Sequence, residues 1–118
     1  MPKAYQLTLN KIDDWGAIFE YLQSLTSFNY MIACREFAPK TGKEHYHVYI
    51  QFKYSMNLSK KKLLSAHIEV CKGSPQANIA YIKKQGDILF IVSWYALGIF
   101  FIKLLYDLCF LSNKTQSK

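Results

Sequence analysis

Cysteine is scarce in this chain of 118 residues, and its three copies form no recognisable pattern. Cys34, Cys71 and Cys109 are odd in number and lie at spacings that match no zinc motif. This is typical of free thiols in a reducing compartment rather than of a disulfide scaffold. No secretion signal is expected either, because the strand-like residues 5–10 are too short and too polar for one.

Acidic residues are also few, with 8 Asp and Glu against 15 Lys and Arg and a formal net charge of +7. A basic protein favours a polyanionic partner such as nucleic acid, although charge that merely aids solubility gives the same balance. The chain has the length of one domain with a modest core. It contains no phosphate-binding loop of the form GxxxxGK[ST], no internal repeat and no low-complexity segment.

Hydrophobic periodicity predicts strands and helices in alternation. Residues 5–10 alternate apolar and polar side chains, and an amphipathic helix follows an N-cap at Asp13 or Asp14. Further predicted elements are strands at 28–37, 45–53 and 67–71, a short helix from Asn57 or Ser59 to Leu64, and a helix that begins at Ser74-Pro75 and ends at Gly86. This order predicts the α+β class, with a central antiparallel sheet and flanking helices of ferredoxin or RNA-recognition-motif type.

A long apolar run follows the last predicted helix. Residues 88–102 carry no charge, and extending the run to residue 111 includes only Lys103 and Asp107. Three interpretations stay open: a transmembrane or interfacial helix, a helix packed on the domain, or a foreign tail. Membrane association through residues 88–111 is disfavoured, because so close an anchor would press the preceding helix against the bilayer. The predicted organisation is a domain at 1–87 and an apolar C-terminal tail at 88–118.

Two histidines on one strand are the most informative feature of the sequence. His45 and His47 lie two residues apart, so both imidazoles point to the same face of a strand. Glu36 lies just before the hairpin turn, where it can come level with them, whereas Glu44 faces the other way. Two imidazoles and a carboxylate suit Mn²⁺ and tolerate Mg²⁺. A pair of ordinary surface histidines is the alternative.

A tyrosine and two lysines lie on the last predicted helix. Tyr81 and Lys84 are three residues apart, so a hydroxyl and an ammonium can lie side by side. Next to a metal, the tyrosine could attack a phosphate and Lys84 could offset the developing charge. Lys83 points elsewhere and is a candidate for contact with the DNA backbone. Core packing is the alternative role for Tyr81.

Residues 5–10, Cys34-Arg35-Glu36-Phe37, His45 to Phe52 and Tyr81 to Asp87 together resemble a known family. In kind and order they are similar to the motifs of the HUH endonuclease (Rep) domain of replication initiators, found in circular single-stranded DNA viruses and related rolling-circle plasmids. The resemblance implies a ferredoxin-like fold and metal-dependent nicking and rejoining of single-stranded DNA through a 5′-phosphotyrosine. It implies an origin stem-loop as substrate, with a helicase in trans as a further partner.

The resemblance also assigns Thr8 and Asn10 to origin recognition and support of the active site. Tyr49 and Gln51 share the histidine face and are candidates for contact with a base or sugar. Lys60-Lys61-Lys62 is predicted to be a solvated surface, with phosphate contact as the minor alternative. The resemblance implies the nucleus of a eukaryotic host, or otherwise the cytoplasm. The competing function is a decayed, non-catalytic nucleic-acid-binding module.

Overall fold

The structure, a computed structural model, describes residues 3–93 of the chain. Within this range the elements are β1 (Ala4–Leu9), α1 (Trp15–Ser24), β2 (Phe28–Phe37), β3 (Glu44–Phe52), β4 (His67–Val70), α2 (Pro75–Gln85) and β5 (Asp87–Ser93). A short 3₁₀ turn at Ile12–Asp14 precedes α1. The predicted α+β class is confirmed.

The strands form one five-stranded sheet in the order β4-β1-β3-β2-β5. Every neighbouring pair is antiparallel. The predicted sheet of ferredoxin type is therefore confirmed. Strands β2 and β3 form the predicted hairpin, and β1 lies on the other side of β3.

The two helices cover opposite faces of the sheet. On the α1 face, Ile18 and Leu22 of the helix pack with Leu7, Val48 and Ile50 of the strands. On the α2 face, a second cluster is formed by Ile32, Cys34, Tyr49 and Ile82. The alternation of side chains along each strand produces both clusters, since neighbouring residues of a strand point to opposite faces.

Helix α2 has the bounds that its sequence signals predict. The Ser74 hydroxyl accepts a hydrogen bond from the Ala77 amide at 3.1 Å, and Pro75 occupies the first helical position. The helix ends before Gly86, whose φ of −178° is extended and not left-handed. Glycine is required here by a close approach: a Cβ on Gly86 would overlap the carbonyl oxygen of Arg35 and lie 3.3 Å from the Cα of Glu36.

Two local predictions are wrong, one of them only in part. Asp14 is the N-cap residue of α1, as predicted, but its side chain makes no capping hydrogen bond, and its carboxylate accepts a hydrogen bond from the Ser65 hydroxyl at 2.6 Å. The short helix predicted from Asn57 or Ser59 is a turn. Its one helical hydrogen bond joins the Leu63 amide to the Ser59 carbonyl, and the chain then leaves the helical region at Leu64, whose φ is +54°.

The beginning of the apolar run is a strand of the sheet. Strand β5 pairs with β2 from Arg35 opposite Asp87 to Tyr30 opposite Ser93, and Phe90 and Val92 are buried on the α1 face. The sheet therefore does not end at residue 87, where the sequence predicted a boundary. The remainder of the predicted tail lies outside the described residues. Within residues 3–93, no helix has the length and hydropathy needed to cross a bilayer.

Candidate active site

The pairing of β2 with β3 brings Glu36, His45 and His47 together. Glu36 lies directly opposite His45, and His47 follows two residues along the same strand. The Nε2 atoms of the two imidazoles are 3.1 Å apart. The Glu36 Oε2 atom lies 3.0 Å from His47 Nε2 and 3.3 Å from His45 Nε2. The three predicted ligands thus converge on one point at the end of the hairpin next to its turn.

The spacing of these three atoms suits a small divalent cation. Adjacent ligands of an octahedral ion are separated by about 1.4 times the metal–ligand distance, so these separations correspond to about 2.1–2.3 Å, close to the value for Mg²⁺. The side chains are 15%, 18% and 28% exposed for His45, His47 and Glu36, so a substrate can approach the cluster. Two imidazoles and a carboxylate also accommodate Mn²⁺.

Hydrogen bonding alone cannot satisfy this cluster with neutral imidazoles. The Nε2 atom of His47 faces both the Nε2 atom of His45 and the carboxylate of Glu36, but it carries at most one proton. A cation between the three atoms would remove that conflict. The residues present therefore fit a metal ion.

The surroundings of His47 lower its pKa and so favour the neutral imidazole. Burial lowers the pKa of His47, and the neighbouring His45 lowers it further, while the hydrogen bond and charge of Glu36 act in the opposite direction. Metal binding requires the neutral imidazole, so a lowered pKa favours it. Cys34 lies opposite His47 on β2, and burial raises the pKa of its thiol to about 11. That thiol is a neutral core group.

The rival carboxylate lies on the other face. Glu44 is 3.5 Å from Nη1 of Arg35, with which it forms a partly exposed ion pair. Side chains alternate in direction along β3, and this alternation predicted that Glu44 points away from the face of His45 and His47. Tyr46 lies on the same face as Glu44, where its ring packs edge-on against Trp15 of α1.

Helix α2 crosses the same face as the His–His–Glu cluster. Near its start, the Asn78 side chain accepts a hydrogen bond from Gln6 of β1 at 2.9 Å. At its end, Gly86 touches the backbone of Arg35 and Glu36 in β2. The last turn of the helix therefore lies beside Glu36, and Ile82 packs between the two ends on Cys34 and Tyr49.

Tyr81, Lys83 and Lys84 lie on this helix and are all exposed, with 47% of Tyr81 accessible. Tyr81 directly precedes the buried Ile82, so its backbone is fixed by that contact. Within residues 3–93, no hydrogen bond or ion pair joins Tyr81 or Lys84 to the cluster. The structure brings the three predicted metal ligands into contact with one another. Tyr81, the predicted nucleophile, is exposed on α2 and forms no hydrogen bond with them.

Thr8 and Asn10 lie at the cluster's other flank. Thr8 pairs with His47 across β1 and β3, and it points away from Leu7 and Leu9, which are buried on the α1 face. Asn10 follows β1 and is exposed. Both predicted residues are therefore accessible to a strand of nucleic acid that reaches the histidines from this side.

Tyr49 is not available for the predicted contact with DNA. Its side chain is only 1% exposed, because α2 covers this part of the face, and its hydroxyl donates a hydrogen bond to Gln51 Oε1 at 3.2 Å. Gln51 is partly buried and lies at the opposite end of β3 from His45. Both side chains lie on the predicted face, but Tyr49 is covered there by Ile82 of α2.

Sequence reasoning missed the residue that fixes α2. Asn78 is 7% exposed, and its amide nitrogen donates hydrogen bonds to the carbonyls of Lys72 and Ser74 at 3.1 and 2.9 Å. Together with the bond from Gln6, these contacts hold the helix and its preceding loop on the sheet. The sequence feature that could have identified Asn78 is a polar amide at a position of α2 that faces the sheet, where apolar residues are usual.

The described residues thus form an antiparallel sheet with a helix on each face, and Glu36, His45 and His47 converge on the face that also carries the lysines of α2. The model of the family described as "Putative viral replication protein" matches residues 3–85. The chain belongs to this family, whose members are Rep-like domains of circular single-stranded DNA viruses. Membership supports a role in the initiation of replication and nucleic acid as the partner. No curated protein matches the chain.

Proposed function

We propose that this protein nicks and rejoins single-stranded DNA at a replication origin, as a metal-dependent endonuclease with a single catalytic tyrosine. The observation that carries the proposal is the convergence of Glu36, His45 and His47, whose ligand atoms lie 3.0–3.3 Å apart. Their position beside the last turn of α2 adds a tyrosine and two lysines to the same region.

The cluster is the proposed site of a divalent metal ion, Mn²⁺ or Mg²⁺. Bound there, the ion would polarise a phosphate oxygen and so make the phosphorus more electrophilic. Glu36 supplies the negative charge among the ligands, and the imidazoles of His45 and His47 supply neutral nitrogens. The partial exposure of all three side chains leaves one side of the site open to the DNA.

Tyr81 is the proposed nucleophile. Its phenolic oxygen forms a bond to the scissile phosphorus as the bond to the 3′ oxygen breaks, and the phenol loses a proton while the leaving oxygen gains one. The products are a 5′-phosphotyrosine and a free 3′-hydroxyl. Because one phosphoester replaces another, the reaction can run backwards and rejoin the strand. The exposure of Tyr81 suits a nucleophile whose substrate is a polymer.

Lys84 is proposed to offset the negative charge that develops on the phosphate. It lies three residues after Tyr81 on α2, so the two side chains leave the helix on neighbouring positions. Lys83 and Lys84 also occupy the last helical turn, where positive charge complements the helix dipole. Thr8, Asn10 and Lys83 are proposed contacts for the flanking DNA.

The test is the formation of a covalent adduct. Purified protein is incubated with Mn²⁺ and a pool of fluorescent single-stranded oligonucleotides with a randomised centre, and products are separated on a denaturing gel. We expect a labelled band at the mass of protein plus DNA, lost in Tyr81→Phe and after chelation of the metal. Peptide mass spectrometry should find the phosphate on Tyr81.

The competing function is a non-catalytic nucleic-acid-binding module. The lack of any contact between Tyr81 and the cluster within the described residues favours this alternative. It predicts DNA binding with no adduct in the wild-type protein at any metal concentration. An adduct that survives in Tyr81→Phe would instead assign the nucleophile to another residue.

A further inference from the structure

The turn that joins β2 to β3 places a lysine beside the His–His–Glu cluster. The Ala38 amide donates a hydrogen bond to the Lys43 carbonyl at 2.9 Å. This bond continues the antiparallel pairing of Glu36 with His45 past the ends of both strands. Because side chains alternate along a strand, Lys43 lies on the same face as His45 and His47. Residues two apart on a strand are separated by about 6.6 Å, so Lys43 is the next residue on that face toward the turn.

Three hydrogen bonds fix the backbone of this turn. In addition to the bond from Ala38 to the Lys43 carbonyl, the Lys43 amide donates to Thr41 Oγ1 at 3.2 Å. The Gly42 amide donates to the Ala38 carbonyl at 2.7 Å, and its φ of +69° is a left-handed conformation that glycine adopts without strain. The backbone of Lys43 therefore has a defined position, while its side chain is exposed.

The ammonium of Lys43 is available to an anion. None of the ion pairs within residues 3–93 includes it. The Glu36 carboxylate faces the two imidazoles, and the Glu44 carboxylate pairs with Arg35 on the other face. Lysine carries its charge on a flexible four-carbon stem, so the ammonium can reach a group that is bound at the neighbouring cluster.

We propose that Lys43 binds the scissile phosphate of the DNA from the turn side of the His–His–Glu cluster. This inference rests on the proposed function, because it takes the cluster as the place where that phosphate lies. Lys84 would approach the phosphate from the end of α2, which lies beside Glu36, and Lys43 would approach it from the hairpin turn. Its charge would then offset the negative charge that develops on the phosphate oxygens as the tyrosine attacks.

Neutralising Lys43 should therefore have two effects. One phosphate contact in a single strand contributes about 0.7 to the slope of log affinity against log salt, so its loss corresponds to about fivefold in affinity at 0.1 M salt relative to 1 M. The rate of the reaction at saturating DNA should fall as well. We expect roughly tenfold, less than the roughly 100-fold of an enclosed donor, because Lys43 is exposed.

The experiment compares Lys43→Gln with Lys40→Gln, which removes the same charge from the tip of the same turn. Lys40 is also exposed and belongs to no ion pair in the described part of the chain. Lys43→Arg, which keeps the charge, is the third variant. Fluorescence anisotropy in a Tyr81→Phe background with Mn²⁺ measures affinity for a short fluorescent oligothymidine. With Tyr81 intact, the randomised pool gives the rate of adduct formation at saturating DNA.

We expect both losses in Lys43→Gln, and neither in Lys40→Gln or Lys43→Arg. Equal losses in Lys40→Gln would reduce the effect to net charge and overturn the inference. A loss of affinity with an unchanged rate would move the contact to a flanking phosphate and overturn the assignment to the scissile one.

Calorimetry with Mn²⁺ tests whether the cluster itself is intact in Lys43→Gln. Its Mn²⁺ affinity should not fall, because a protonated lysine offers no lone pair to a metal. A fall would trace the other losses to a disturbed cluster and would overturn the role of Lys43 in phosphate binding.

The two assays separate this inference from the proposed function. If the protein with native Lys43 and Tyr81 forms no adduct, the nicking reaction fails. An affinity loss confined to Lys43→Gln would then keep Lys43 as a phosphate contact, and equal affinity in Lys43→Gln and Lys40→Gln would overturn that contact too. If adduct forms and Lys43→Gln reacts at the rate of Lys40→Gln, only the inference on Lys43 is overturned.

Discussion

Glu36 is the only negatively charged group among the three candidate ligands, so its charge should dominate cation affinity. Glu36→Gln keeps the size of the side chain and removes the charge. We expect Mn²⁺ affinity to fall by at least roughly 100-fold, because even groups behind the ligands contribute 10–100-fold in metal sites. Isothermal titration calorimetry measures this change directly.

Glu44→Gln is the matched control for this change. It makes the same substitution eight residues away on the opposite face, where Glu44 faces Arg35 at 3.5 Å. Its Mn²⁺ affinity should equal that of the wild-type protein. Equal affinity in Glu36→Gln would place the carboxylate ligand elsewhere, and a loss in Glu44→Gln would point to that residue.

The lowered pKa of His47 makes the stability of the metal-free protein depend on pH. The folded state binds a proton at His47 less tightly than the unfolded chain, whose histidines have a pKa of about 6.5. The stabilising contribution is therefore present above about pH 6.5 and is lost as the pH falls through the lowered folded value. Urea unfolding from about pH 7.5 to about pH 5 should show this loss, and it should be smaller in His47→Gln.

A slope that is identical in His47→Gln would assign the pH dependence to other groups. The same proton competition should weaken Mn²⁺ binding on acidification, because the metal needs the neutral imidazole. His67 offers a comparison, since it lies exposed on β4 with its imidazole 3.0 Å from Glu69. His67→Gln should leave Mn²⁺ affinity unchanged.

Residue parity along the strands predicted the ligand set but not every contact. It separated Glu36 from Glu44 correctly, because side-chain direction alternates along a strand whatever packs against it. It failed for Tyr49, because parity assigns a face but does not say which part of that face a helix covers. The covered part of the face depends on the path of α2 across the sheet, and Asn78 and Gly86 fix that path.

Helix α2 approaches the His–His–Glu cluster most closely at Gly86, the residue between α2 and β5. Gly86→Ala would place a methyl group against the Arg35 carbonyl and force the helix end or β2 to move. We expect destabilisation of about 1–3 kcal/mol, as for other overpacked positions. Mn²⁺ affinity should fall as well, since the shift displaces Glu36. Thermal unfolding and calorimetry measure the two effects.

Gly16→Ala provides the control within α1. An added Cβ at Gly16 meets no atom within 4 Å. Alanine is the better helix former, so this variant should be more stable by about 0.5–1 kcal/mol. If Gly86→Ala were equally harmless, the close approach would not fix the position of α2.

The capping residues in the sequence predicted the start of α2 correctly, whereas the side-chain cap expected for α1 does not form. Ser74 and Pro75 act locally, within the first turn of α2, so the sequence alone was sufficient. Asp14 was expected to act in the same way, but its carboxylate is taken by Ser65, which is 51 residues away. The short helix predicted before Leu64 does not form, for a related reason. Leu63 is buried in the core and Ser59 and Ser65 bind distant residues, so these contacts set the path of the turn.

At the scale of the whole molecule, the sheet was predictable except for its last strand. Residues 88–102 contain no charge and suggested a single apolar unit. Pairing between β5 and β2 is a contact between distant parts of the chain, so no local pattern separates residues 88–93 from those that follow. The register also skips Leu89, because Ala33 pairs with Phe90 and Cys34 with Ile88, and this bulge disturbs the alternation of side chains along β5.

A point substitution in β5 tests whether this strand contributes to the stability of the core, without shortening the chain. Phe90 is 7% exposed and packs against Phe19 and Trp15 of α1 with ring centres 5.2 and 5.6 Å apart. Phe90→Ala should destabilise the protein by about 3–5 kcal/mol. Because domains are stable by only about 5–15 kcal/mol, the melting temperature should fall markedly.

Ile88→Ala is the control, because Ile88 belongs to the same strand and is 41% exposed. It removes a side chain of similar character but creates no buried cavity, so we expect a change below about 1 kcal/mol. If Phe90→Ala were as mild as Ile88→Ala, residues after 87 would be dispensable, as a domain boundary there requires. A large difference between the two variants would instead make β5 part of the folding unit, since only a strand integrated into the sheet couples Phe90 to the stability of α1 and β2.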